Sequence, residues 1–227
     1  MSGFLGSAVL LLGILGIFYE ITWLQDVSQF LLILSLFGFF HKNISGSLSN
    51  YYGFFIGLFF AGIANVFSDF WYFNYLAVSF WLICFWFLFK EVVLYTEYSK
   101  GRRRVRFYFV LVVGIYSYLL SLHVVEIKTN FRDGFQFLIY ILFYLSLLVL
   151  AVTGLIYYLN SFSRKSVYFI CFILSFIFSN VLQDMAIFYT KDVSVELAGL
   201  LTRFAAFLMI FLFFSTREKK LRLLNLV

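Results

Sequence analysis

The chain is a succession of long apolar runs broken by short polar interruptions. Eight such runs can be marked, at residues 3–19, 28–40, 51–68, 75–95, 105–122, 135–158, 166–189 and 197–215. A membrane-crossing helix needs ~20 predominantly apolar residues, so the pattern predicts an all-α polytopic membrane bundle of eight transmembrane helices. No loop is long enough for a soluble domain, and residues 1–227 read as a single integral membrane domain. The second run is short for a span. Either its helix takes in flanking polar residues such as Gln25 and Lys42, or the bilayer thins there. Nothing basic precedes the first run and no small-residue cleavage site follows it, so a retained helix is expected rather than a cleaved signal peptide.

Two runs are interrupted in the same way. Asn65-Val-Phe-Ser-Asp69 and Asn180-Val-Leu-Gln-Asp184 each place Asn and Asp four residues apart, on one helical face and one turn apart. Polar groups in an apolar span cost a few kcal/mol each unless they face a bundle interior, a cavity or each other, so the pairs mark a candidate site. Gln183 lies beside the second pair, and the last run carries Glu196 and Arg203, about two turns apart. The third and seventh helices are expected to adjoin, with Asn65, Asp69, Asn180 and Asp184 facing one cavity and Arg203 pairing with Asp184. The spacing of the two pairs, four spans apart, suggests a parallel four-plus-four repeat.

Charge placement bears on topology. If the N-terminus and alternate loops share one side, that side receives Lys42, Lys90, Lys100, Arg102, Arg103, Arg104, Arg106, Arg164, Lys165, Arg217, Lys219, Lys220 and Arg222, thirteen of the seventeen basic residues. Lys128, Arg132 and Lys191 fall on the other. The positive-inside rule then puts both termini in the cytoplasm, which requires an even number of spans, and a bacterial inner (plasma) membrane is the expected location. The Arg102–Arg106 cluster fits a short cytoplasmic loop, and no nucleic-acid partner is expected.

Composition agrees: 63% of residues are hydrophobic, 12% are charged and the mean hydropathy is +0.98, outside the range of soluble domains. Proline is absent, so no span carries a proline kink, which weakens a transporter reading. The 34 Phe and 16 Tyr residues read as lipid-facing and packing side chains rather than a cofactor box. His41 and His123 each end an apolar run without partners at ligand spacing, and Cys84 and Cys171 form no CxxC, so no metal and no cofactor are expected. No GxSxG elbow is present. Gly53-x-x-x-Gly57 fits the small-xxx-small motif of close helix packing.

Two segments carry a family likeness. Gly57-Leu-Phe-Phe-Ala-Gly-Ile-Ala-Asn65, followed by Tyr75 to Lys90, and Phe176-Ile-Phe-Ser-Asn180-Val-Leu, followed by Phe188-Tyr189 and a last span with Arg203 and Ala205-Ala206, resemble the YhhN-like (lysoplasmalogenase) family of eight-span membrane proteins. The resemblance implies hydrolysis of the vinyl-ether bond of lysoplasmalogens, with a membrane lipid or lysolipid as partner. The family's Gly-Asp stands here as Ala64-Asn65 and its Ser-Asp as Ser179-Asn180. Both expected acid-base carboxylates are therefore amides, which do not exchange protons at neutral pH. Asp69 and Asp184, one turn on, are the candidates for a relocated catalytic pair, with Asn65, Asn180, Gln183 and Arg203 binding substrate. The alternative is a non-catalytic lipid-binding, sensing or structural protein using the same cavity.

Overall fold

A computed structural model of the chain describes residues 2–67, 71–96, 134–188 and 192–219, with isolated positions between 110 and 125. Among the described residues every regular element is helical: α1 (Ser2–Phe18), α2 (Thr22–Phe40), a 3₁₀ turn (His41–Asn43), α3 (Leu48–Val66), α4 (Trp71–Tyr95), α5 (Gly134–Ser161), α6 (Arg164–Phe188) and α7 (Val193–Ser215). Among the described residues, five helical segments, Thr22–Asn43, Tyr75–Tyr95, Gly134–Ser161, Arg164–Ala186 and Val193–Ser215, are long and apolar enough to cross a membrane. The chain is a helical membrane bundle. Most of the expected fifth span, 105–122, lies outside the described residues; the positions described within it, such as Val110, Gly114 and Tyr118, are helical. The count of eight is thus not reached by the helices described.

The second span was short in sequence because hydropathy reads its polar face as loop. Its helix starts at Thr22, taking in Gln25, Asp26 and Ser28, and Ser28 satisfies its hydroxyl locally on Gln25 O at 2.7 Å. Of the two explanations for its length, the extended helix holds. Before it, α1 ends in a Schellman motif: Glu20 N donates to Ile17 O at 3.1 Å and Ile21 N to Gly16 O at 2.8 Å. Glu20 occupies the left-handed position, φ 55°, that usually belongs to glycine. At the other end of the chain, Asp192 caps α7, accepting from Ser194 N at 2.8 Å and from Ser194 Oγ. These bonds hold its carboxyl below the usual aspartate range.

Neighbouring helices pack in a ring, α1 on α2, α2 on α3, α3 on α4, α4 on α5, α5 on α6 and α6 on α7, and α7 closes it against α1 and α2. The two glycines of the small-xxx-small motif lie where α3 meets α4. A Cβ on Gly53 would come within 2.5 Å of the Phe87 ring, and one on Gly57 within 2.8 Å of Cys84 Sγ, so only glycine admits this approach. The centre is aromatic. Trp81 lies 4.6 Å from Phe176 and 6.2 Å from Phe207 by ring centroids, and Phe85, Phe54, Phe211 and Phe214 continue the stack. This dry core divides the polar residues into two groups, one at each end of the bundle.

Candidate functional site

The first group is organised by Arg203, about two turns into α7. Its Nε donates to Ser179 Oγ at 3.1 Å, one terminal nitrogen to Gln29 Oε1 at 3.3 Å, and the other to Asn180 Oδ1 at 3.0 Å. Each helix contributes for a local reason. Ser179 and Asn180 fall on the side of α6 that packs on α7, and Gln29 follows Gln25 by one turn on α2. The acceptors are themselves fixed. Ser179 Oγ donates to Gly199 O at 2.9 Å, and Asn180 Nδ2 donates to Phe176 O at 2.7 Å, which leaves Oδ1 for the guanidinium. All three acceptors are neutral, so the arginine is hydrogen-bonded without being neutralised by them. Asp26 and Asp184 also lie close enough for their charges to act on it.

Arg203 forms part of the wall of a cavity of about 340 Å³, lined also by Glu20, Gln25, Gln29, Ser179, Gln183 and Glu196, with apolar walls from Ile17, Ala186 and Leu200. The two glutamates sit at helix ends and the guanidinium lies deeper, so charge is separated along the cavity: carboxylates at its mouth and a cation at its base. Beyond Arg203 a crevice of about 10 Å³ continues inward between Asp26, Gln29, Asn65, Trp81 and Phe207.

Asn65 and Asn180 therefore approach Arg203 from two sides. The helices that carry them are not principal neighbours: α3 packs on α2 and α4, and α6 on α5 and α7. The convergence runs through α7, which corrects the expected direct pairing of the third and seventh spans. Gln183 is exposed to the same cavity. Asp69 lies outside the described residues. Asp184, 7% exposed, accepts a hydrogen bond from Tyr144 Oη. Arg203 donates its hydrogen bonds to three neutral groups, and the charge of Asp184, one helical turn from Asn180 along α6, also acts on it. Sequence reasoning missed Gln29, Tyr144 and Glu20. The i, i+4 pair Gln25 and Gln29 was the available signal for the first; Tyr140 and Tyr144 have the same spacing but were lost among many aromatics.

The second group, at the opposite end, was missed altogether. Glu91 and Lys165 have fully buried side chains with Nζ 3.6 Å from Oε1. Glu91 Oε1 accepts from Ser47 N at 3.2 Å and Tyr95 Oη at 3.1 Å, and Oε2 from Asn50 Nδ2 at 2.9 Å. Lys165 Nζ lies 4.0 Å from the Tyr95 ring centroid and 4.9 Å from that of Phe213. Lys165, counted above with the loop residues, is instead in the first turn of α6 and inside the bundle.

Among the described residues no group of His, Cys, Asp and Glu is arranged to hold a metal ion. His41 ends α2 with Nδ1 3.0 Å from Gly38 O, and Cys84 and Cys171 are unbridged; His123 lies outside the described residues. In comparisons with known proteins, no family model, no curated protein and no solved structure matches the chain.

Proposed function

We propose that the Arg203 cavity receives the head of a single-chain membrane lipid, a lysolipid, and that the chain is a divergent relative of the YhhN-like family whose principal act is binding. The observation that carries this reading is the set of neutral acceptors around Arg203. A part-buried guanidinium held in place by the neutral Ser179, Asn180 and Gln29 can still take an anionic partner, and a phosphate is the group its planar fork suits best. Glu20 and Glu196 at the mouth suit the amine of a zwitterionic head, and Ile17, Ala186 and Leu200 give the hydrocarbon chain a route towards lipid. The residues that carry the family likeness, Asn65, Ser179, Asn180 and Arg203, are those that gather here, which supports a common site. The eight-span, four-plus-four arrangement with both termini on the cytoplasmic side of a bacterial plasma membrane belongs to the same reading, and places the cavity in the outer leaflet.

Vinyl-ether hydrolysis is the second reading, favoured by Asp184 standing within the electrostatic reach of Arg203. It needs a proton donor to the alkene and a base for water. Asp184, accepting from Tyr144, is arranged as an acceptor, so Asp69 must supply the other role. A positioned acid typically contributes ~10² to 10⁴-fold, and the two amides remove that contribution from the family's own positions. Turnover is therefore expected to be weak or absent. Purified protein incubated with vinyl-ether and ester lysolipids, with bound lipid and released aldehyde both read by mass spectrometry, tests the two readings together. Retained lysolipid lost in Arg203→Leu, without aldehyde, is the predicted result. Aldehyde release abolished by Asp69→Asn or Asp184→Asn would establish the hydrolase instead, and no retained lysolipid would remove both.

A further inference from the structure

We infer that the polar group at the other end of the bundle is an oxyanion-binding site, now occupied by a carboxylate of the chain itself, Glu218. Lys165 is the basis. Its ammonium has three donors, is fully buried, and makes no hydrogen bond among the described residues. Glu91 pairs with it by charge but stands 3.6 Å away, beyond hydrogen-bond distance, while its two oxygens accept from Ser47 N, Asn50 Nδ2 and Tyr95 Oη. A Cβ on Gly46 would overlap Glu91 Oε1, so glycine is what leaves room for the carboxylate here.

The surroundings favour an anion. Lys165 lies in the first turn of α6, where Ser163 Oγ accepts from Ser166 N at 3.1 Å and the positive end of the helix dipole faces the cluster. Ser161, Ser163 and Ser166 are all buried around it. Glu218 arrives from the segment that follows the end of α7 and takes a hydrogen bond from Tyr157 Oη, whose ring lies 6.1 Å by centroid from that of Tyr95 under the Lys165 ammonium, and its charge acts on Lys165. Its second oxygen, Oε1, is shielded and makes no hydrogen bond among the described residues. A carboxylate with one idle oxygen therefore stands beside an ammonium with idle protons. Residues 217–219 are not helical, so releasing Glu218 unwinds no helix. A free carboxylate or phosphate that seats both oxygens would displace it, and the C-terminal segment would act as a resident competitor.

Chemical rescue tests this in the full-length protein in detergent. Glu218→Ala should lower the Tm by a few degrees, and acetate or inorganic phosphate, against chloride at equal ionic strength, should restore it along a saturable curve. Native protein should need at least about tenfold more of either anion for the same shift, since its own carboxylate competes. Adding Lys165→Met should abolish the rescue. If Glu218→Ala does not fold, Glu218→Gln keeps the shape and should show the same pattern. Rescue by soluble phosphate assigns a free ligand, and rescue confined to vesicles containing phosphatidylglycerol assigns a lipid headgroup. Equal responses of native and variant proteins, rescue that survives Lys165→Met, or no response to any of these anions would overturn the inference.

Discussion

Arg203 is tolerable inside a membrane bundle because three side chains accept its hydrogen bonds, and all three are neutral. Asn180 is the most informative of the three. Its amide donates to its own helix at Phe176 O and presents oxygen to the guanidinium, an arrangement an aspartate cannot copy without losing one bond and adding one charge. Glu20 carries a second residue-scale consequence. Holding a non-glycine residue at φ 55° costs on the order of 1 kcal/mol, and such strain is kept where a side chain is needed in place. Glu20→Gly should therefore raise the Tm by ~2 to 4 °C while weakening retention of a lipid with a cationic head group. A lower Tm would mean that the glutamate is held there by contacts worth more than the strain. The sequence made Asn65, Asn180, Gln183, Asp184 and Arg203 legible because polar letters stand out in apolar runs. It did not show which of them touch, since a contact between α2 and α7 spans more than 170 residues and leaves no local trace.

At the scale of the helices, apolar run length located seven of them but misjudged their ends. α2 begins six residues before the run at 28–40, and those added residues, Gln25 and Asp26 among them, belong to the candidate site. A functional polar face shortens the apparent span for that reason. The start of α7 depends on the Asp192 cap, which positions Glu196 one turn later. Its carboxyl titrates below the ordinary aspartate value because Ser194 donates to it twice. A depressed folded-state pKa stabilises above the unfolded value and is lost as pH falls through the folded one. Asp192→Asn should thus match the native protein in acid and differ from it only above about pH 4, in thermal melts across a pH series. A difference that persists unchanged into acid would show that the cap works through shape rather than charge.

Over the whole molecule, an aromatic core separates two polar ends that differ in kind. One holds a cavity with separated charges; the other is closed, with Glu91, Lys165 and Glu218 packed among tyrosines and serines. Composition announced a membrane bundle but concealed the closed end, because Glu91 and Lys165 sit next to span boundaries where charges are expected anyway. Cysteines placed at 103 and 196 should label from opposite sides of the membrane, the first from the cytoplasm; labelling of 103 from outside would invert the arrangement. The central claim is that Arg203, hydrogen-bonded to neutral groups, receives the phosphate of a lipid head. The most direct measurement is the affinity of the purified protein for a lysophospholipid and for an uncharged monoacylglycerol of the same chain, in native and Asn180→Asp forms. The account predicts a preference of at least about tenfold for the phosphate in the native protein, and its loss in Asn180→Asp, where the new carboxylate pairs with the guanidinium. Equal affinities in the native protein, or a preference that survives Asn180→Asp, would contradict it.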